Sequence, residues 1–242
     1  MLILNLGSGT RTTDHPEVVN IDWSLNIRIK QSRLLRLVVT PLLDARRRAR
    51  LQQMAGNLLA HDLSKGIPFE SDSVDTVYHS HVLEHLDRPI ARQFMHETLR
   101  VLKPGGISRI VVPDLEFACR AYVQHFERCE QDPGEAATHE RFVEEILEQS
   151  VRRQAAGSTG RRGLSRIVEQ IVLGDARRRG ETHQWMYDRI SLPYLLKIAG
   201  YRAVQVQTWN SSAIPHWNEI GLDRNADGGE YTPHSLYVEA RK

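Results

Sequence analysis

The chain has 242 residues, of which 40% are hydrophobic and 26% charged, with a formal net charge of +2. That balance excludes a disordered chain and supplies no global field for nucleic acid. Two cysteines, Cys119 and Cys129, form neither a C-x-x-C pair nor a disulfide framework, which fits a reducing cytoplasm.

Leu2-Ile3-Leu4-Asn5-Leu6 is an apolar run of strand length, broken by Gly7-Ser8-Gly9-Thr10, where backbone turns sharply. The N-terminal run is too short, and lacks the basic flank, for a signal peptide or a membrane span. Val18-Val19-Asn20-Ile21 reads as a second strand ending on Asp22, and Leu58-Leu59-Ala60 as a third ending at His61-Asp62. Between them, residues 23–56 carry Arg28, Lys30, Arg33, Arg36, Arg46, Arg47, Arg48 and Arg50 against one acid, Asp44, interleaved with apolar residues. Such a segment packs on the domain as a cap helix with a solvated basic face, or rests on a membrane surface through 28–50.

Asp75-Thr76-Val77-Tyr78 begins a fourth strand, and Pro89 opens a helix carrying Ile90, Phe94, Val101 and Leu102. Lys103-Pro104-Gly105-Gly106 then turns the chain into a fifth strand, Ile107 to Val112. Residues 114–182 are too long for a simple crossover and are expected to form a helical insertion with an acidic stretch near Glu140–Glu145. A Gly/Arg-rich piece, 157–163, is expected to be mobile, and Arg177-Arg178-Arg179 closes the insertion as a solvated run or an anion grip. Ser191 is expected to cap a helix from Leu192 to Ala199 that Gly200 ends. Ala203–Thr208 and Ser235–Ala240 follow as a closing antiparallel pair, with Trp209, His216, Trp217 and Asp223 in the long loop between them. Strands alternating with helices predict an α/β architecture.

In a parallel doubly wound sheet these strand ends line one crevice, where a glycine loop admits a polar tail and the acids take hydroxyls and an amino group. Thr12 stands where a dinucleotide site wants its third glycine, and no G-x-x-x-x-G-K-[ST] loop is present, which leaves S-adenosylmethionine as the adenosine cofactor. The segments LILNLGSGT, NIDWS, HDLSKGIPFESDSVDTVYHSHVLEHL and LRVLKPGGISRIVVPD, in that order, resemble class I S-adenosylmethionine-dependent methyltransferases, the small-molecule type in particular. The resemblance covers roughly residues 1 to 114, and more weakly His183 to the C-terminus. It departs at Asn5, where the family usually has an acid, and at Arg11, where it often has a glycine.

The resemblance implies a single domain over 1–242 with cap insertions at about 23–56 and 114–182. Its fold would be a Rossmann-like, seven-stranded, mostly parallel sheet with an antiparallel edge strand and helices on both faces. Cofactor contacts would come from Asn5, Gly7, Ser8, Gly9, Asp22, Trp23, Asp62, Leu63 and Ser80. Within that set Asp22 would take the ribose hydroxyls, Trp23 would stack on the adenine and Asp62 would accept from its amino group. The product would be S-adenosylhomocysteine. The acceptor would be a small molecule, a sugar or a lipid-linked intermediate, and the basic caps favour an anionic one. No nucleic-acid partner is expected, because the short Arg runs lack an aromatic stacking platform.

A hydroxyl acceptor calls for a general base, and His79, His81 and His183 are the candidates. The same segment, His79 to His85 with Glu84, offers residue types that zinc prefers, so a zinc metallohydrolase is the rival enzyme. A non-catalytic cofactor-binding protein is the rival outside catalysis. Because the methyltransferase reading accounts for that strand and helix, no metal ligand is assigned.

Overall fold

The structure is a computed structural model that describes residues 1–43, 45–150 and 183–242. Seven strands form one sheet: β1 (Ile3–Leu6), β2 (Val18–Asp22), β3 (Leu58–Ala60), β4 (Val74–Ser80), β5 (Leu102–Pro113), β6 (Arg202–Gln207) and β7 (Ser235–Arg241). Their order is β3-β2-β1-β4-β5-β7-β6. The first five are parallel, and β7 lies antiparallel between β5 and β6. The closing pair predicted from alternation is therefore present, with the reversed strand one place in from the edge.

Period-two alternation divides the core. Leu4, Leu6, Val77 and Ile110 face a helical layer of α4 (Arg88–Val101) and α7 (Ser191–Ile198), meeting Phe94, Met95, Leu192 and Leu196. Ile3, Tyr78 and Val111 face the other way, onto Ile214 and the short helix α8 (Trp217–Ile220). A third cluster closes the β3 edge, where α1 (Leu25–Gln31) and α3 (Ala45–Gln53) bury Ile27, Ile29, Leu51 and Met54. Between them, α2 (Arg33–Val39) buries no residue; Ser32 caps it by accepting from the Leu35 amide.

The Lys103–Gly106 turn lies within β5 as an irregularity. Leu102 pairs with Val74, and regular pairing resumes at Ile107 with Thr76. Gly105 has φ +78°, and a Cβ on Gly106 would come within 3.0 Å of two carbonyl oxygens, so both glycines are set by backbone geometry. Helix α7 starts one residue earlier than predicted, and Ser191 is not its cap. Asp188 Oδ1 accepts from the amides of Ile190 and Ser191 instead, a short acidic side chain being the better acceptor there. Helices α5 (Leu115–Gln131) and α6 (Glu140–Ser150) form the first part of the expected insertion. The Gly/Arg-rich piece 157–163 and Arg177–Arg179 lie outside the described residues. Among the described residues no helix is long and apolar enough to cross a membrane.

Candidate functional site

Strand order reverses between β1 and β4, and a crevice opens there beyond the carboxyl ends of the parallel strands. The first turn after β1 enters it. Gly7 and Gly9 both have positive φ, +64° and +52°, but for different reasons. A Cβ on Gly7 would lie 2.5 Å from Val82 Cγ2, so protein packing demands that glycine. A Cβ on Gly9 would meet nothing within 4 Å among the described residues. The buried Ser8 Oγ between them has no hydrogen-bond partner among the described residues. An open cradle beside an orphaned hydroxyl is what the polar tail of an adenosine cofactor would fill.

The loop is braced from below by amides. Asn5, 2% exposed, donates from Nδ2 to the Arg11 carbonyl at 2.9 Å and to Asn20 Oδ1 at 3.0 Å. Asn20 passes the link to the Thr13 carbonyl and to Asn57. The nitrogen of Asn5 is thus spent on holding the loop.

At the neighbouring strand ends, Asp22 Oδ2 accepts from the Gly9 amide at 2.9 Å, and its Oδ1 accepts from the Ser24 amide. The opening turn and the first aspartate therefore touch. Asp22 pairs with Ala60 across β2 and β3, and the His61 amide donates to the Asp22 carbonyl, which puts Asp62 two residues beyond the same edge. Asp62 Oδ1 accepts from the amide and hydroxyl of Ser64, and these bonds hold its carboxyl below the usual range. Leu63 opens the 3-10 turn that Asp62 caps and packs against the main core. Trp23 is half-exposed at the end of β2, with the Arg28 guanidinium 4.8 Å from its ring centre.

At the switch point itself, between the glycine loop from Gly7 to Arg11 and the end of β4, lies a hollow of about 220 Å³. Asn5, Ser8, Tyr78, Ser80, His81 and Tyr231 are among the residues that line it. The three candidate histidines diverge around it. His79 points to the opposite face of β4, fully buried, with its ring edge-on to Phe94 and both ring nitrogens without hydrogen-bond partners among the described residues. Burial pushes its pKa down to about 4, against a smaller opposing pull from the Glu84 charge. Strand alternation alone would send His81 to the same face as His79. It does not, because the strand ends at Ser80 and His81 adopts a left-handed backbone, φ +54°. Its ring reaches the hollow, with Nε2 3.1 Å from Ser235 Oγ and Nδ1 3.1 Å from Glu84 Oε1.

Glu84 is fully buried, and its approach to His81 is an ion-pair contact rather than a well-directed hydrogen bond. Burial pushes its pKa up, but contact with His81 and the charges of His81 and His85 outweigh burial and leave it lowered. His183 lies beside His85, ring centres 4.8 Å apart, while the next two amides donate to the Glu84 carbonyl. His183 does not line the hollow. Among the described residues, Glu84 and His85 from this cluster join His183 in a group of three whose ligand atoms lie within 4.8 Å of one another. The turn of His79 into the core breaks up the set on which the zinc hydrolase reading was built.

Sequence reasoning missed what roofs the site. Arg109 in β5 is fully buried, with Nε 2.7 Å from Asp223 Oδ2 and Nη1 2.7 Å from Glu239 Oε1. It also donates to the carbonyls of Thr208 and Ser211. Tyr78 Oη and Trp217 Nε1 both donate to Asp223 at 2.7 Å, so one buried cation fixes the 208–223 loop over the sheet. Arg11 ties the next stretch to the glycine loop, donating to the carbonyls of Gly221, Leu222 and Arg224 and lying 3.9 Å from the Tyr231 ring centre. A charged residue inside the apolar run Ile107–Val112 was the available signal for Arg109; its acidic partners lie 114 and 130 residues away.

Residues 32–110, roughly a third of the chain, match the family described as a methyltransferase domain. That stretch spans β3 to most of β5 and stops short of the glycine loop and Asp22. No curated protein sequence matches the chain. Among solved structures it is similar to an S-adenosylmethionine-dependent methyltransferase of Methanosarcina mazei, at 15% identity and TM-score 0.47, covering 99% of this chain and 91% of that one. A second, from Archaeoglobus fulgidus, has 13% identity and TM-score 0.45, with 99% and 85% covered. A third is the Burkholderia thailandensis 1,6-didemethyltoxoflavin-N1-methyltransferase with bound S-adenosylhomocysteine, at 13% identity and TM-score 0.46, with 100% and 70% covered.

Proposed function

We propose that this chain, a class I S-adenosylmethionine-dependent methyltransferase by its sequence motifs and by the domain matched over residues 32–110, methylates a small hydroxyl-bearing acceptor in the hollow beside Tyr231, with His81 as general base. In this reading residues 1–242 are one catalytic domain carrying caps. The bound cofactor supplies an activated methyl group; the protein's task is to align the acceptor and remove its proton.

One observation carries the proposal. His81 is turned out of its strand by a left-handed backbone so that its ring lines the hollow, with Nδ1 against the buried carboxylate of Glu84 and Nε2 on the Ser235 hydroxyl. The carboxylate fixes the ring orientation and stabilises the imidazolium that forms when the proton arrives. A non-glycine residue held at positive φ is strain that the surrounding structure must sustain, and such strain gathers at functional positions. His79 has no part in this chemistry, and His183 supports the fold of Glu84. Gly9, Ser8, Asp22 and Asp62 would hold the cofactor along the ends of β1, β2 and β3.

An acceptor that is anionic or lipid-linked suits the cap. Leu34, Leu37 and Val38 on α2 are 71%, 75% and 57% exposed, at positions that share one helical face, with the exposed Arg33 and Arg36 next to them in sequence. An apolar patch with basic flanks fits an anionic lipid surface.

The test is calorimetric titration with S-adenosylhomocysteine, followed by transfer of labelled methyl groups to a panel of sugars and lipid-linked intermediates. Asp22→Ala and Asp62→Ala each weaken cofactor binding by ~10-fold or more, the worth of a hydrogen bond to a charged group. His81→Gln keeps that affinity and loses ~10²-fold or more in kcat. Unchanged affinity in both aspartate variants overturns the cofactor site, and unchanged turnover in the histidine variant overturns the base.

A further inference from the structure

The insertion after β5 carries a second cluster, separate from the crevice. Helix α5 places His125 and Cys129 one turn apart on the same face. A 3-10 turn, Pro133–Thr138, reverses the chain and delivers His139 just before α6. Three ligand-type atoms converge: His125 Nδ1 lies 2.9 Å from His139 Nδ1 and 3.4 Å from Cys129 Sγ, and all three are within 4.8 Å of one another.

The surroundings are those of a ligand site. His125 is fully buried, and its other nitrogen, Nε2, faces Thr138 Oγ1 at 3.1 Å and Glu135 Oε2 at 3.4 Å. A carboxylate behind a histidine fixes its tautomer so that the opposite nitrogen presents its lone pair, the arrangement that orients metal-bound imidazoles. Rings wall the cluster, with Phe142 4.3 Å from His125 and Tyr122 5.1 Å from His139, centre to centre. Two imidazoles facing each other through like atoms cannot both donate, and neither gains if both are protonated. A cation between them lets both lone pairs and the thiolate act at once.

We propose that His125, Cys129 and His139 bind one divalent cation of the zinc class and thereby clasp the hairpin of α5 and α6. Two imidazole nitrogens and a thiolate select a borderline or soft metal over magnesium or calcium, which take oxygen ligands. With Zn–N near 2.1 Å and Zn–S near 2.3 Å, tetrahedral edges come to about 3.4 Å between nitrogens and about 3.6 Å between nitrogen and sulfur. The His125–Cys129 separation already matches. Opening the histidine pair by about 0.5 Å, within side-chain rotation, completes the face, and water takes the fourth position. The proposal stands apart from the methyltransferase reading.

The full chain carrying Cys119→Ser, which removes the other, exposed thiol, is stripped with chelator and titrated with zinc and then with cobalt(II). The expected result is one equivalent of zinc by native mass spectrometry and a thiolate-to-cobalt charge-transfer band. Adding Cys129→Ser and His139→Ala abolishes both while circular dichroism is unchanged, and Glu135→Gln weakens binding by ~10- to 100-fold. Absence of stoichiometric zinc overturns the proposal. So does an equivalent that survives the double variant and is lost in His85→Ala with His183→Ala, since that result moves the metal to Glu84, His85 and His183.

Discussion

Arg109→Met is the sharpest test of what fixes the 208–223 loop over the sheet. The guanidinium lies between two carboxylates at 2.7 Å each, and the side chains of Asp223 and Glu239 are only 2% and 5% exposed. Methionine fills much of the volume, so the loss is electrostatic rather than a cavity. Breaking a buried pair from one side leaves an uncompensated charge at ~3–5 kcal/mol, and here two acids lose one shared partner. The carbonyls of Thr208 and Ser211 also lose their donor. These costs overlap, because Tyr78, Trp217, Ser212 and the Ala213 amide still donate to the two acids. A net loss of ~4 kcal/mol follows, which in a chain of this size lowers Tm by ~8–16 °C. Thermal and urea unfolding read this directly. Adding Asp223→Asn and Glu239→Gln removes the stranded charges and recovers at least half of the loss. A single-variant loss below ~1 kcal/mol, or no recovery in the triple variant, refutes the assignment of Arg109 as the electrostatic anchor of the 208–223 loop.

Two further outcomes are expected. Burial lowers the pKa of His79 to about 4, so the unfolded chain takes up a proton below ~6.5 while the folded chain resists until about pH 4. His79 therefore favours folding fully above ~6.5 and loses that contribution, ~3 kcal/mol, as pH falls through the window. His79→Leu flattens the stability profile between pH 6.5 and 4, measured by urea unfolding at each pH, and an unaltered acid limb refutes the account. Leu34→Glu with Leu37→Glu reduces sedimentation with phosphatidylglycerol vesicles at least tenfold without changing Tm, because both side chains are solvent-exposed in the fold. Equal sedimentation removes the lipid surface from the proposal.

The sheet was legible because its signals are local. Apolar or β-branched stretches at Leu2–Leu6, Val18–Ile21 and Asp75–Tyr78 need no distant information to be read as strands. The contact of the Gly7–Gly9 turn with Asp22 was legible for the same reason, since consecutive parallel strands bring their ends together. His79 and His81 could not be separated from sequence: spacing puts them on one face, and the left-handed residue that breaks the alternation has no marker in His-Ser-His. The roof escaped because Arg109, Asp223 and Glu239 carry no pattern along the chain, and their partnership exists only after β7 inserts between β5 and β6. His125, Cys129 and His139 escaped because the third ligand returns through a turn whose direction the sequence does not specify.

The two departures of the first motif from the family it resembles prove to be one structural solution. An acid at position 5 could not donate a hydrogen bond, and its oxygens would face the Arg11 carbonyl and Asn20 Oδ1, both acceptors. Asn5 supplies the missing donor and draws the end of the glycine loop down onto β2. That anchoring holds the Arg11 backbone where its side chain can reach the carbonyls of Gly221, Leu222 and Arg224. A glycine at position 11 would leave those carbonyls without their donor and Tyr231 without its stacked cation. The residues that brace the glycine loop are thus bonded to the segment that borders the hollow, and displacement of one displaces the other. On the proposed function, coupling of this kind carries the order of the amide chain Asn57–Asn20–Asn5 to the hollow, although none of its members beyond Asn5 lines it.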